Sequence, residues 1–174
     1  MSLTFDYKFG IFVIPKMFVL HSSKYFFTIA PPNPILKGRK KNNKHILLII
    51  DILICSKREA KCFNDLLNEE IFDLSLTIQH LSKTIEMYCQ TNSSTISLQD
   101  GEDAGQSIWH FHAHIIPRIK SDLPDNDYIY SKLERFDEEF IKEYTDLQSN
   151  IKNQIELKEG IEKIKEFMSK SYIY

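Results

Sequence analysis

Cysteine is scarce in this 174-residue chain: Cys55, Cys62 and Cys89 make an odd number with no C-x-x-C pair. That argues against a disulfide framework or a cysteine-based zinc site and fits a reducing compartment. Neither sign of charge is in excess. Lys and Arg number 22 against 24 Asp and Glu, a formal net charge of −2, so no global positive field recruits nucleic acid or an anionic membrane. Long apolar runs are missing too. The longest, residues 46–55, is too short to span a bilayer and contains Asp51. Asp6, Lys8, Pro15 and Lys16 break up any signal-peptide core. With 43% hydrophobic and 26% charged residues, the chain is neither disordered nor collagen-like. Its length suits one core that stands without disulfide or metal. The expectation is a cytoplasmic globular domain with neither nucleic acid nor membrane as partner, in which any anionic ligand is held by local groups.

Residues 1–36 read as β-structure. Residues 11–14 and 17–20 flank Pro15, and 25–29 are rich in aromatic and β-branched types. Pro31-Pro32-Asn33-Pro34 stops what precedes it. Residues 37–44 read as a solvated basic loop, and the apolar run 45–50 suits a buried central strand. Between Asn68 and Cys89, Ile71, Leu74, Ile78, Leu81, Ile85 and Tyr88 recur at steps of three and four, one face of a helix. Asn68 is the expected N-cap, with Glu69 and Glu70 in the first turn. Residues 94–98 alternate as a strand. Beyond Phe136 the chain becomes charged, and Ile151, Ile155, Ile161, Ile164 and Met168 predict a C-terminal helix interrupted at Gly160.

The chemistry concentrates in residues 99–118, Q-D-G-E-D-A-G-Q-S-I-W-H-F-H-A-H-I-I-P-R. His110, His112 and His114 stand at i, i+2 and i+4, separated by apolar Phe111 and Ala113. Side chains alternate faces along a strand, so this spacing sets three imidazoles in one row over a core-facing partner row. On a helix the rings would fan around the axis. A surface histidine run lacks the interleaved apolar face. A metal site is a second reading, but the outer two Cα atoms lie roughly 13 Å apart on a strand, and no Asp, Glu or Cys inside the row completes a shell. In the third reading one imidazole attacks while its neighbours stabilise charge. Gly101, Gly105, Gln106 and Ser107 upstream offer N–H groups, an amide and a hydroxyl to a phosphate. The third reading requires the central ring to be open to incoming phosphorus.

His110-Phe111-His112-Ala113-His114-Ile115-Ile116 resembles the H-φ-H-φ-H-φ-φ signature of the histidine triad superfamily of nucleotide hydrolases and transferases. The longer string is similar to its fragile histidine triad branch of dinucleoside triphosphate hydrolases, over about residues 9–137. The resemblance implies an α+β fold, an antiparallel sheet of about five strands with one main helix. A catalytic domain of residues 1–137 and a helical extension of 138–174 follow. It implies a homodimer and a hydrolase of dinucleoside polyphosphates, foremost diadenosine triphosphate, cleaved to AMP and ADP through a nucleotidyl-histidine intermediate. His112 is the implied nucleophile, with His110 and His114 beside it and Gln99, Gly105, Gln106, Ser107 and Ile108 on the phosphates. His45 would help line the nucleoside slot, and Asn33 would replace the family's ribose ligand, whose position Pro31 occupies. No tightly bound cofactor or protein-held metal is implied; Mg2+ or Mn2+ would accompany the polyphosphate. Two other readings keep the fold: an adenosine phosphoramidate hydrolase, and a nucleotide-binding signalling module with little turnover.

Overall fold

A computed structural model describes residues 5–32 and 51–171 of the protein. Asn33, His45, the basic loop 37–44 and the strand expected over 45–50 lie outside the described residues.

The chain opens with a hairpin, β1 (Phe5–Phe9) and β2 (Phe12–Pro15), which forms its own two-stranded sheet. Gly10 turns it with φ at +57°, and a Cβ there would sit 2.9 Å from Cγ2 of Ile108. Glycine is needed both for the conformation and for that close approach. A 3-10 turn over Lys16–Phe18 follows Pro15 and leads into β3 (Val19–Ser22) and β4 (Phe26–Ile29). The remaining elements are β5 (Ile52–Ser56), α1 (Asn68–Cys89), β6 (Ser94–Ser97) and β7 (His112–Pro117), then α2 (Tyr128–Leu133), α3 (Phe136–Ser149) and α4 (Ile151–Ser171). The main sheet is antiparallel throughout, in the order β3-β4-β5-β7-β6. The α+β class and the five-stranded sheet are as expected.

β5 and β7 are central and buried along their whole lengths. Their register pairs Leu53 with His114 and Cys55 with His112. A central strand is covered on both faces, so polar residues on β7 have no route to bulk water.

The expected helix has its expected bounds, and Leu74, Leu81 and Ile85 are its buried stripe. Its cap differs from expectation. Leu67, not Asn68, is the N-cap, and Glu70 accepts the Leu67 N–H at 2.8 Å. The same buried carboxylate takes Nε and Nη2 of Arg58 at 2.6 and 2.7 Å. A carboxylate reaching back from the third helical position satisfies a donor that an asparagine cap would otherwise have met.

The C-terminal helices also depart from expectation. Gly160 lies buried inside an unbroken α4, and the break falls instead at Asn150. Packing overrides the helix cost of one glycine, about 1 kcal/mol. The expected domain boundary at 137/138 falls inside α3. Phe136, Phe140, Tyr144, Leu157 and Ile161 share one core cluster with Phe9, Phe26 and Leu53 of the strands. α4 contacts the edge strand β3 as well as α1 and α3. Among the described residues, no helix is long and apolar enough to cross a membrane.

Leu81 is fully buried and Phe72, on the same helix, is 67% exposed. Leu81→Ala is expected to cost about 2–5 kcal/mol and Phe72→Ala less than about 0.5 kcal/mol, as read by urea denaturation.

Candidate active site

Alternation along β7 sorts its side chains. Phe111, just before the strand, packs on Phe26 and Phe63, with ring centroids 6.0 and 6.3 Å apart. His112 and His114 project from the opposite face, 5.5 Å apart at their centroids. His110 departs from the expected strand. β7 begins at His112, and the His110 N–H folds back onto the Ile108 carbonyl at 2.7 Å. The chain is held there by the Phe111 N–H, which donates to the Ala60 carbonyl at 2.7 Å. The ring nevertheless joins the row, because Phe9 meets both His110 and His112 edge-on, at 5.7 and 5.1 Å.

Hydrogen bonds and burial assign each ring a role. Nδ1 of His112 donates to the His110 carbonyl at 2.8 Å, which orients the ring and leaves Nε2 pointing into the site. Nε2 of His110 donates to the Ser56 carbonyl at 2.7 Å, with the Ser56 hydroxyl at 3.1 Å. That nitrogen is spent on the neighbouring strand. Burial pulls the His110 pKa below its ordinary value, outweighing the Ser56 hydrogen bond. His114 is fully buried against Phe136, at 4.6 Å edge-on, and neither ring nitrogen has a hydrogen-bond partner among the described residues. Burial, aided by the nearby His112, pushes its pKa down to about 3, so it is neutral at physiological pH with an N–H to give.

The loop before the row is braced from within. Gly105 has φ at +87°, and a Cβ on it would lie 2.5 Å from Nε2 of Gln99. The Gln99 amide donates to the Ala104 carbonyl at 3.0 Å. Gln106 is buried; it accepts the Gly101 N–H at 2.9 Å and donates to the carbonyls of Lys61 and Ile108 at 2.8 and 3.1 Å. Its side chain is a strut of the loop and does not face the histidine row. The result is a pair of adjacent N–H groups, from Ser107 and Ile108, converging with the Ser107 hydroxyl on one point beside His112.

That point is filled by a residue the sequence did not reveal. Oδ2 of Asp137, in the first turn of α3, accepts the N–H groups of Ser107 and Ile108, both at 2.7 Å, and the Ser107 hydroxyl at 3.2 Å. Oδ1 lies 3.4 Å from Nε2 of His112. Burial alone would raise the Asp137 pKa, but His112 and the Ile108 and Ser107 donors outweigh it and hold the carboxyl below its ordinary range. The central ring is therefore not open as expected: His112 is only 2% exposed. The only local signal was the acidic first turn of α3, whereas the contact reaches back 30 residues to Ser107. Among the described residues no group of three or more His, Cys, Asp or Glu is placed to hold a metal ion. The arrangement can bind an oxyanion on Ser107 and Ile108 and present an imidazole nitrogen to its central atom.

His114 takes up a proton near pH 3 when folded, against 6.5 for an ordinary histidine. Between those values the unfolded chain binds the extra proton, so His114's contribution is complete above about pH 6.5 and is lost on acidification. His110 acts in the same direction. From His114 alone, stability by urea denaturation is expected to fall by up to about 2 kcal/mol from pH 6.5 to pH 5. His114→Asn is expected to flatten that slope, and an unchanged slope would refute the assignment.

The profile of the HIT domain matches residues 47–121. The chain is 33% identical over 127 residues to a bis(5'-adenosyl)-triphosphatase of Dictyostelium discoideum, spanning 73% of this chain and 77% of that one. It is 31% identical over 145 residues to the bifunctional bis(5'-adenosyl)-triphosphatase/adenylylsulfatase FHIT of Arabidopsis thaliana, covering 83% and 73%. The crystal structure of Plasmodium falciparum diadenosine triphosphate hydrolase superposes with a TM-score of 0.58 at 29% identity, over 76% of this chain and 84% of that one. With its three histidines side by side beside an oxyanion cradle, the chain belongs to the histidine triad (HIT) family, in the branch that includes the bis(5'-adenosyl)-triphosphatases.

Proposed function

We propose that the chain is a hydrolase of dinucleoside polyphosphates, foremost diadenosine triphosphate, which it cleaves to AMP and ADP. The relatives' activities support the substrate class. The observation that carries the chemistry is the fixed tautomer of His112, whose Nε2 stands beside the point on which the Ser107 and Ile108 N–H groups converge.

In this reading Nε2 of His112 attacks the α-phosphorus. The N–P bond forms as the bond to the bridging oxygen breaks, and ADP departs with the electron pair. The His110 carbonyl stabilises the positive charge that develops on the ring through the Nδ1–H bond. Ser107 and Ile108 hold the non-bridging oxygens, and the Ser107 hydroxyl donates to the leaving bridge. His114, kept neutral by burial, donates one N–H to phosphate oxygen. Water then attacks phosphorus, breaks the N–P bond and releases AMP. Phosphoryl-type transfer depends on positioning and charge stabilisation more than on strong acids, so a neutral set is sufficient.

Gln99 and Gly105 shape the phosphate loop, and Asn33 and His45 are the candidate contacts to the nucleoside. A divalent cation, Mg2+ or Mn2+, enters with the polyphosphate. The working form is a homodimer in which two sheets join, and two apolar side chains are open for such a contact: Ile96 on the edge strand β6, 52% exposed, and Trp109 ahead of β7, 51% exposed. The three free thiols suit the cytoplasm.

His112→Asn is expected to lower diadenosine triphosphate turnover on the order of 10⁴-fold or more while AMP still binds. Ser107→Ala, which removes one donor, is expected to cost about 10- to 100-fold in kcat. Chromatography of products from a panel of dinucleotides and an adenosine phosphoramidate checks both. Faster turnover of the phosphoramidate, or full activity in His112→Asn, would overturn the reading.

A further inference from the structure

The anion in the cradle belongs to the chain itself. An attacking Nε2 of His112 needs phosphorus at about 3–3.5 Å, and Oδ1 of Asp137 already stands 3.4 Å from that nitrogen. The donors expected to hold phosphate oxygens, the Ser107 and Ile108 N–H groups and the Ser107 hydroxyl, are all given to Oδ2. Carboxylate and phosphate use the same hydrogen-bond donors in the same place, so the two are mutually exclusive.

The helix that brings Asp137 is clamped over the site. Phe136 lies edge-on to His114 at 4.6 Å, and Phe140 lies edge-on to Phe9 and Phe12 at 5.3 and 5.6 Å. Phe9 in turn covers His110 and His112. The Tyr144 hydroxyl donates to the Val13 carbonyl at 2.8 Å, tying α3 to the β1–β2 hairpin. Among the described residues that hairpin forms no ladder with the main sheet. The cover is thus two elements bound to each other, and neither is a strand of the sheet that bears the nucleophile.

We propose that α3 is an autoinhibitory plug: the Asp137 carboxylate stands in for the substrate's phosphate, and nucleotide binds only when α3 leaves the cradle. The proposal rests on the hydrolase reading for its substrate but not for its geometry. An internal competitor lowers apparent affinity by the fraction of molecules that are open. A polyphosphate carries several charges and two nucleosides against one carboxylate, so it displaces the plug where a lone phosphate does so poorly.

The test uses the full chain, AMP as the binding probe and diadenosine triphosphate as the substrate. Asp137→Ala and Asp137→Asn are expected to bind AMP about tenfold tighter by calorimetry, with KM for the dinucleotide falling by a similar factor. In the unaltered protein, AMP is expected to raise hydrogen exchange at the amides of residues 136–149. Unchanged or weaker AMP binding in two cooperatively folded variants would overturn the proposal, as would greater protection of α3 on AMP binding. Should the variants not fold, the exchange measurement on the unaltered chain decides alone. Tighter AMP binding with no turnover in any form would uphold the plug and sink the hydrolase reading. Equal KM in variant and parent, with turnover, would uphold the hydrolase and sink the plug.

Discussion

A strand buried on both faces is the constraint from which the site follows. β7 lies between β5 and β6 and exposes none of its residues, so each polar group on it must find its partner inside the protein or remain neutral. His112 meets the first condition by donating Nδ1–H to the carbonyl of His110. His114 meets the second, with a pKa near 3. The same pressure that makes a sheet centre apolar therefore selects the tautomer of one imidazole and the charge state of another.

The loop from Gln99 to Ile108 solves a complementary problem. Two neighbouring N–H groups at its end point at a buried spot, and buried donors demand an acceptor. The long polar side chains of the loop, Gln99 and Gln106, are turned to other backbone groups, and the acceptor comes from α3. A negative group from elsewhere is thus built into the design, and whichever anion arrives gains the full set of donors. Asp137 satisfies them in the resting chain, with its carboxyl held ionised by the contacts it makes.

How much of this was legible depends on the distance between cause and effect along the chain. α1 could be read to the residue because its buried stripe repeats every three or four positions, although Glu70 displaced Asn68 as the device at its start. The histidine row could be read because alternation is a two-residue property. The backbone at His110 could not, since a bond from the next residue to Ala60, far upstream, ends the strand early. Gln106 looked like a phosphate ligand until its partners at Lys61 and Ile108 were visible. Asp137 carried no local mark distinguishing it from Glu138 and Glu139 beside it; only the fold selects which of the three faces inward. Gly160 shows the reverse error, a strong local signal overruled by burial of α4 against its neighbours.

The hydrogen bond between Tyr144 and Val13 joins positions 131 apart, and this separation imposes an order on biogenesis. A ribosome releases the hairpin first and the histidine row long afterwards, and α3 only after that, because chains emerge from the N-terminus at a finite pace. Every newly made molecule therefore passes through a stage in which the row and the hairpin have been synthesised and α3 has not. During that interval the aromatic underside of the hairpin, Phe9 and Phe12, has no Phe140 or Tyr144 to rest on. Those two rings wait for their α3 partners until the last quarter or so of the chain has been translated.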